Sequence, residues 1–405
     1  MRLLFGLLCF LLIVSCAKKP KKEAALINYI DAPSGPYSSL PNMFSNTKHT
    51  LMSWVEKVDD STTQLKYARL INGEWKDPQL ILQGRDWFVN WADFPAIVEN
   101  NGHLISHILR KSSKETFSYD VRLNVLPKGE SQWATDLQLH SDATKTEHGF
   151  VTTLPYKEDS FFVTWLDGRN TTSSGHDHHD GAMSIRSAEV SSKGMVSNEA
   201  LLDDRTCDCC QTTASITTNG PVVIYRDRSE DELRDMSIVR FVEGEWTTPK
   251  SIYNDNWQIK GCPVNGPKSA AIGNNLVVTW FTAANKEAKV KVVFSSDGGE
   301  SFEEPIRIGR SNVMGRVDIA LIDSENAIVS WMETIDKEAQ IRAIKVHKSG
   351  KISTPVIISR LDASRKTGFP QMDLVGDKVH FAWTDVTNEI ETVKTAYVLL
   401  ELFSV

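Results

Sequence analysis

The residues with the most distinctive chemistry are three thiols in Cys207-x-Cys209-Cys210. Thiolates this close in sequence can ligate zinc or a soft ion such as Cu(I), and His176, His178 and His179 supply imidazoles a short way upstream. The spacing matches no standard zinc motif. In an oxidising compartment the same thiols, joined by Cys262, would instead form disulfides. Both readings stay open from sequence, with Cu, Zn or Ca as the ions a Cys, His and Asp set could hold, and the His run reads equally well as a solvated loop.

Carboxylates and guanidiniums form the second group. Asp167, Asp227, Asp235 and Asp318 are the candidate catalytic acids, with Asp93 and Glu230 as further carboxyls. Glycoside hydrolysis needs two such groups about 5 Å apart or roughly 6.5 to 9.5 Å apart, one with a raised pKa. Arg169, Arg226, Arg228, Arg234 and Arg316 are forks suited to a carboxylate, sulfate or phosphate. Each also has an acid nearby in sequence with which it could tie loops together. Trp87 and Trp91 could stack on a sugar ring or plug a channel, and Asn90, Asp93 and Asn265 complete the candidate ligand-binding set.

These residues must be positioned by a repeat. An apolar β-rich run, an aromatic residue, one residue and usually an acid recur at Trp54, Trp165, Tyr225, Trp280, Trp331 and Trp383, with His107 as a weaker copy. The period of roughly 50 to 60 residues is blade-sized, and each unit reads as four strands without helical periodicity. The expected fold is therefore all-β, a single propeller of four-stranded blades, with seven blades favoured over six. Leu26 to Ile30 is expected to supply the strand missing from the last unit and close the ring, which removes exposed sheet edges. In such a blade the loops joining strands two and three, and strand four to the next blade, share one face. That near face collects the Arg, Asp, Trp, His and Cys residues above; the Gly-Glu-Trp turns fall on the far face. Tyr225 and the repeated Trp residues are assigned to packing between blades.

Ser295-x-Asp297-x-Gly299-x-Ser301-Phe302 resembles the Asp box of sialidase-like (BNR-repeat) propellers, with Ser301 where Thr is usual, and the Gly-Glu-Trp turns resemble degenerate copies. The resemblance implies a structural turn role for Asp297, an anionic sugar as ligand, and an exo-sialidase-like glycoside hydrolase if the chain is an enzyme. It departs from that family in blade number and in lacking the Arg-Ile-Pro motif. The Tyr nucleophile and Glu base of sialidases have no pair that stands out here. A noncatalytic ligand- or protein-binding propeller, and a metal or thiol-redox protein built on the Cys loop, are the alternatives.

At the start of the 405-residue chain, Arg2, the apolar run Leu3 to Val14 and Ile13-Val14-Ser15-Cys16 resemble a bacterial lipoprotein signal. Residues 1–15 are then the signal peptide, Cys16 the lipidated residue, 16–25 a lysine-rich tether and 26–405 the propeller. The expected setting is an exported, monomeric protein held to a bacterial membrane by its lipid. A net charge of −7 argues against nucleic acid as a partner.

Overall fold

The structure, a computed structural model, describes residues 26–46, 49–171, 181–309, 312–336 and 338–404. Cys16 and the loop carrying His176, His178 and His179 lie outside the described residues. The chain is a seven-bladed β-propeller of antiparallel sheets, with blades spanning 38–84, 97–138, 148–206, 213–253, 268–308, 313–361 and 371–399. The outermost strand of blades 1 and 4 is broken in two, because the Gly-Glu-Trp turns end in the short strands Glu74–Trp75 and Glu245–Trp246 before the chain resumes. Those turns bend through left-handed pairs, Asn72 at φ 55° with Gly73 at φ 82° and Glu243 at φ 54° with Gly244 at φ 91°, which suits a tight hairpin.

Ring closure occurs as the sequence predicts. Asn28–Ile30 pairs antiparallel with the strand Ile390–Leu399 and becomes the fourth strand of blade 7. The Thr395 hydroxyl donates to the Ile30 carbonyl at 2.8 Å and receives the Trp75 indole N–H at 3.1 Å, binding the first blade to the last.

The repeated aromatic explains why the blades cohere. It sits on the second strand of each blade, and Trp54, His107, Trp165, Tyr225, Trp280, Trp331 and Trp383 are all 2 % exposed or less. Side chains at i and i+2 share one face of a strand, so the acid two residues on can take the indole N–H. Trp165 donates to Asp167 at 2.9 Å, Trp331 to Glu333 at 2.9 Å and Trp54 to Glu56 at 3.3 Å. Where the pattern lapses, the acid comes from elsewhere: Asp255 serves Trp280 at 2.6 Å and Asp203 serves Tyr225 at 2.5 Å. Apolar residues gather between neighbouring blades rather than in one central core. The seam between blades 7 and 1 is the thinnest, built on Met52, Trp54, Ala68, Ala382 and Val393.

The first strands line an axial cavity of about 390 Å³. On the far face, the turn between Lys289–Ser295 and Ile306–Ile308 is held by Asp297, which accepts the Ser295 hydroxyl at 2.7 Å and the Ser301 amide at 2.9 Å.

Because the closing seam is thin, a chain starting at residue 31 should be less stable than one starting at residue 26. Losing three backbone-paired residues should cost about 1–3 kcal/mol and expose a strand edge. Thermal unfolding should show a lower midpoint and light scattering a concentration-dependent association; identical behaviour of the two chains would mean the strand does not carry closure.

Candidate functional site

The near face is organised by the loop joining blades 1 and 2. Phe88 donates its amide to Leu109 at 2.8 Å, seating the loop on blade 2, and the Asn90 side chain accepts the Ala92 amide at 2.8 Å to turn the chain inward. Trp91 then stacks on Phe369 with ring centroids 5.7 Å apart. The Ala92 carbonyl accepts Gln211 at 2.6 Å, and Gln211 accepts the Gly266 amide at 3.0 Å. Asn265 accepts the Arg316 amide at 2.8 Å. Loops from around the ring are thus laced together, with Trp91 packed among them. Trp87 is half-buried at the outer end of the same loop, against Gly84.

Asp93, the last residue of this turn, opens onto an acid cluster. One of its oxygens accepts the Phe150 amide at 2.8 Å; the other is buried without a hydrogen-bond partner. Beside it the Tyr119 phenol donates to Glu147 at 2.6 Å. Tyr119 begins the third strand of blade 2 and is fully buried under Phe88, whose ring stacks on it at 4.2 Å. Glu147 precedes the first strand of blade 3 and is half-buried. Gly149 is required here, since a Cβ would run into the free oxygen of Asp93. Burial pushes the Glu147 carboxyl up to about 8, with the charges of Asp93 and Asp208 adding to it. Burial likewise raises Asp93 to about 7, against the pull of the Phe150 amide and the Tyr119 phenol. At neutral pH this cluster therefore holds at least one proton on a carboxyl group, the condition for a general acid.

The carboxylates singled out by sequence are each engaged by the scaffold. Asp167 is fully buried, taking the Trp165 indole and both arms of Arg169. Asp227 accepts the Arg228 amide and the Ser237 hydroxyl; Asp235 accepts the amides of Asn256 and Trp257. Asp318 bridges blades 6 and 7 by accepting the amides of Ile319 and Met372. Their carboxylates terminate strands and join blades, work that burial favours because backbone amides left bare would be costly. Glu230 is exposed and apart from them.

The arginines are similarly engaged. Arg226 donates to the carbonyls of Arg234, Asn265 and Phe281 and lies over Trp257. Arg228 is paired with Asp208 and Glu232, and Arg234 with Glu232. Arg169 joins Asp167, Asp142 and Glu199. In the same network the His140 and His148 rings stack at 3.9 Å beside Asp142. Burial disfavours charge on His148, but Asp142 and Asp167 outweigh it and raise its pKa. Arg316 is the exception: it bonds Thr367 and the Gly368 carbonyl, lies 5.1 Å from the Trp91 ring, and has Arg365 rather than an acid as its charged neighbour. Burial, then Arg365, lowers it to about 10. Arg365 also lies over Trp91, at 5.7 Å.

Cys207, Cys209 and Cys210 are buried, Cys262 is exposed, and all four are free thiols. Asn265 clasps the Arg316 amide and the Met314 carbonyl, joining the loop between blades 4 and 5 to blade 6. The Tyr119–Glu147 pair is what sequence reasoning missed. Its partners stand 28 residues apart on different blades. The available signal was Glu147-His148-Gly149 placed just ahead of a first strand, outside the aromatic repeat.

No protein-family model matches the chain, and no curated protein matches it in sequence. Solved structures do. An ulvan lyase of polysaccharide lyase family PL25, bound to -[GlcA(1-4)Rha3S]-, aligns with a TM-score of 0.57 at 12% identity over 92% of this chain and 94% of that one. The polysaccharide lyase Uly1 aligns with a TM-score of 0.53 at 9% identity over 89% of each chain. The endosialidase of phage phi92 aligns with a TM-score of 0.51 at 9% identity, over 92% of this chain and 69% of that one. These similarities show a propeller fold shared with glycan-active enzymes.

Acids whose pKa is raised on folding bind protons more tightly in the folded state, so the stability they contribute is present below their unfolded pKa and is lost as pH rises through the folded value. Asp93 and Glu147 should therefore make the protein progressively less stable from about pH 4 to about pH 8. Glu147→Gln should flatten that slope and raise the melting temperature on the alkaline side. An unchanged pH profile of thermal unfolding in this variant would show that Glu147 ionises normally.

Proposed function

We propose that the near face cleaves an anionic glycan, with Glu147 as the proton donor to the glycosidic oxygen. The observation that carries this reading is the proton-holding cluster itself: a half-buried Glu147 bonded to the buried Tyr119 phenol, beside Asp93 with an unpartnered oxygen. Glu147 is the member that reaches solvent. Tyr119 and Asp93 act behind it as positioning residues: the phenol fixes one carboxyl oxygen, and the charge of Asp93 keeps the proton on Glu147 at neutral pH.

The Arg316–Arg365 pair over Trp91 supports an anionic ligand, because two neighbouring guanidiniums without a carboxylate are relieved by binding an acid group. In this reading the arginines that hold the scaffold together do not bind ligand. A lipid on Cys16 would hold the propeller at an envelope surface, where such polysaccharides are met.

The purified protein, incubated with sialylated, sulfated and uronic-acid polysaccharides, should release new reducing ends. Ultraviolet absorbance of an unsaturated uronate would mark elimination, and its absence hydrolysis. Glu147→Gln should lower kcat by about 10²–10⁴-fold, and wild-type activity should fall as pH rises through about 8, where Glu147 loses its proton. Asp93→Asn, by removing a nearby negative charge, should move that alkaline limb to lower pH. Saturable binding without turnover on every polysaccharide would leave a binding propeller instead. Arg365→Ala should raise KM several-fold, about 1 kcal/mol of lost charge-assisted binding, with kcat little changed.

A further inference from the structure

The four thiols are not scattered through the near face. Cys207, Cys209 and Cys210 occupy the loop between blades 3 and 4, and Cys262 occupies the loop between blades 4 and 5. The Cys207 sulfur is 4.0 Å from that of Cys209 and 3.6 Å from that of Cys210, and one ligand atom from each of the three falls within 4.8 Å of the others. Cys262 is exposed and interacts with Cys209, but it lies outside this group of three. Sulfurs bound to one ion at about 2.3 Å stand about 3.8 Å apart in a tetrahedron and about 4.0 Å apart in a trigonal plane. The spacing of the three buried sulfurs is that of ligands around a common point, and both distances from Cys207 are too long for a sulfur–sulfur bond.

Burial opposes ionisation of the Cys207 thiol, but two guanidiniums stand beside the sulfurs. An Arg234 guanidinium nitrogen is 3.1 Å from the Cys207 sulfur, and the fully buried Arg226 is close to Cys210. Arg234 is also held by Glu232 and Arg226 by backbone carbonyls, so both cations are fixed in place independently of the thiols, where they can offset the negative charge of a thiolate–metal centre. Met183, Leu202, Tyr225 and Val264 belong to the same buried apolar cluster as the three sulfurs. Three soft sulfur ligands favour a thiophilic ion over a hard cation, which needs oxygen ligands.

We propose that Cys207, Cys209 and Cys210 bind one thiophilic d10 metal ion, Zn(II) or Cu(I), with Cys262 as an exposed fourth ligand. The site is separate from the glycan-cleaving reading and stands or falls without it. The two ions make different use of Cys262. A tetrahedral Zn(II) centre needs a fourth ligand, which Cys262 would supply by moving in, while a trigonal Cu(I) centre is complete with the three buried sulfurs.

The test is titration of the reduced, folded mature protein under anaerobic conditions with Zn(II) alone, and separately with Cu(I) presented by a chromophoric competitor. One equivalent should bind in at least one arm, and Co(II) in place of Zn(II) should give the visible bands of tetrahedral thiolate ligation. Cys209→Ser should weaken binding by about a hundredfold or more, and Cys262→Ser should weaken Zn(II) by about tenfold or more while leaving Cu(I) nearly unchanged. If Cys209→Ser fails to fold, the Co(II) spectrum of the wild-type chain still decides. Reduced, folded protein that binds neither ion stoichiometrically would overturn the proposal. So would protein made in its own compartment with all four sulfurs in disulfides that reduction cannot convert to a metal-binding form.

Discussion

Everything in this molecule depends on a wedge: a large aromatic ring on the second strand of nearly every blade, packed against the neighbouring blade and tied by its polar atom to an acid. A lone four-stranded sheet cannot bury both faces, so each blade needs its neighbours and the ring needs closure. In blades 1, 3 and 6 the acid of the repeat takes the buried indole N–H, whereas in blade 7 the Trp383 indole N–H is buried without an acceptor among the described residues. His107 takes the aromatic position in blade 2, where burial lowers its pKa to about 4 and holds the ring neutral. That substitution lets a weaker copy of the repeat serve the same packing role.

The same demand explains why so many charged residues on the near face are unavailable for ligand. Loops crossing from one blade to the next carry amides and carbonyls that leave water, and Asp227, Asp235, Asp318 and Arg226 satisfy them. A charged side chain at a loop junction is thus weak support for catalysis by itself. The groups that stand out are those for which the scaffold gives no compensation: the bare oxygen of Asp93, the proton held on Glu147, and two guanidiniums facing each other over Trp91. Electrostatic frustration of this kind is what a ligand or a reacting bond can relieve.

Loop 85–96 connects these features. Its Trp91 end meets the cationic pair and its Asp93 end meets the acid cluster, so a shift of this loop would move both together. Gln211 extends the connection to the thiol loop, because it follows Cys210 directly and bonds the Ala92 carbonyl. The near face is thus laced by long loops, while the far face joins short hairpin turns of neighbouring blades, as where Asn274 bonds Asn219 and Lys250 bonds the Glu300 carbonyl.

Much of this was legible in the chain. The aromatic-x-acid repeat determined blade size, blade number and the inward packing of the Trp residues, since strand periodicity and the spacing of a repeat are local properties. The N-terminal strand was readable as the missing fourth strand by the same arithmetic. Sequence also sorted the two faces correctly, because the direction of each strand follows from counting turns. It could not separate Asp167 from Glu147, since both are acids at the near-face end of a strand. Which of them is neutralised depends on partners far away in sequence: Arg169 and the Trp165 indole for one, Tyr119 and Asp93 for the other. Only the closed ring brings Tyr119 to Glu147 and Arg316 to Trp91, and only burial at those meeting points gives an ordinary carboxyl or guanidinium an unusual charge state.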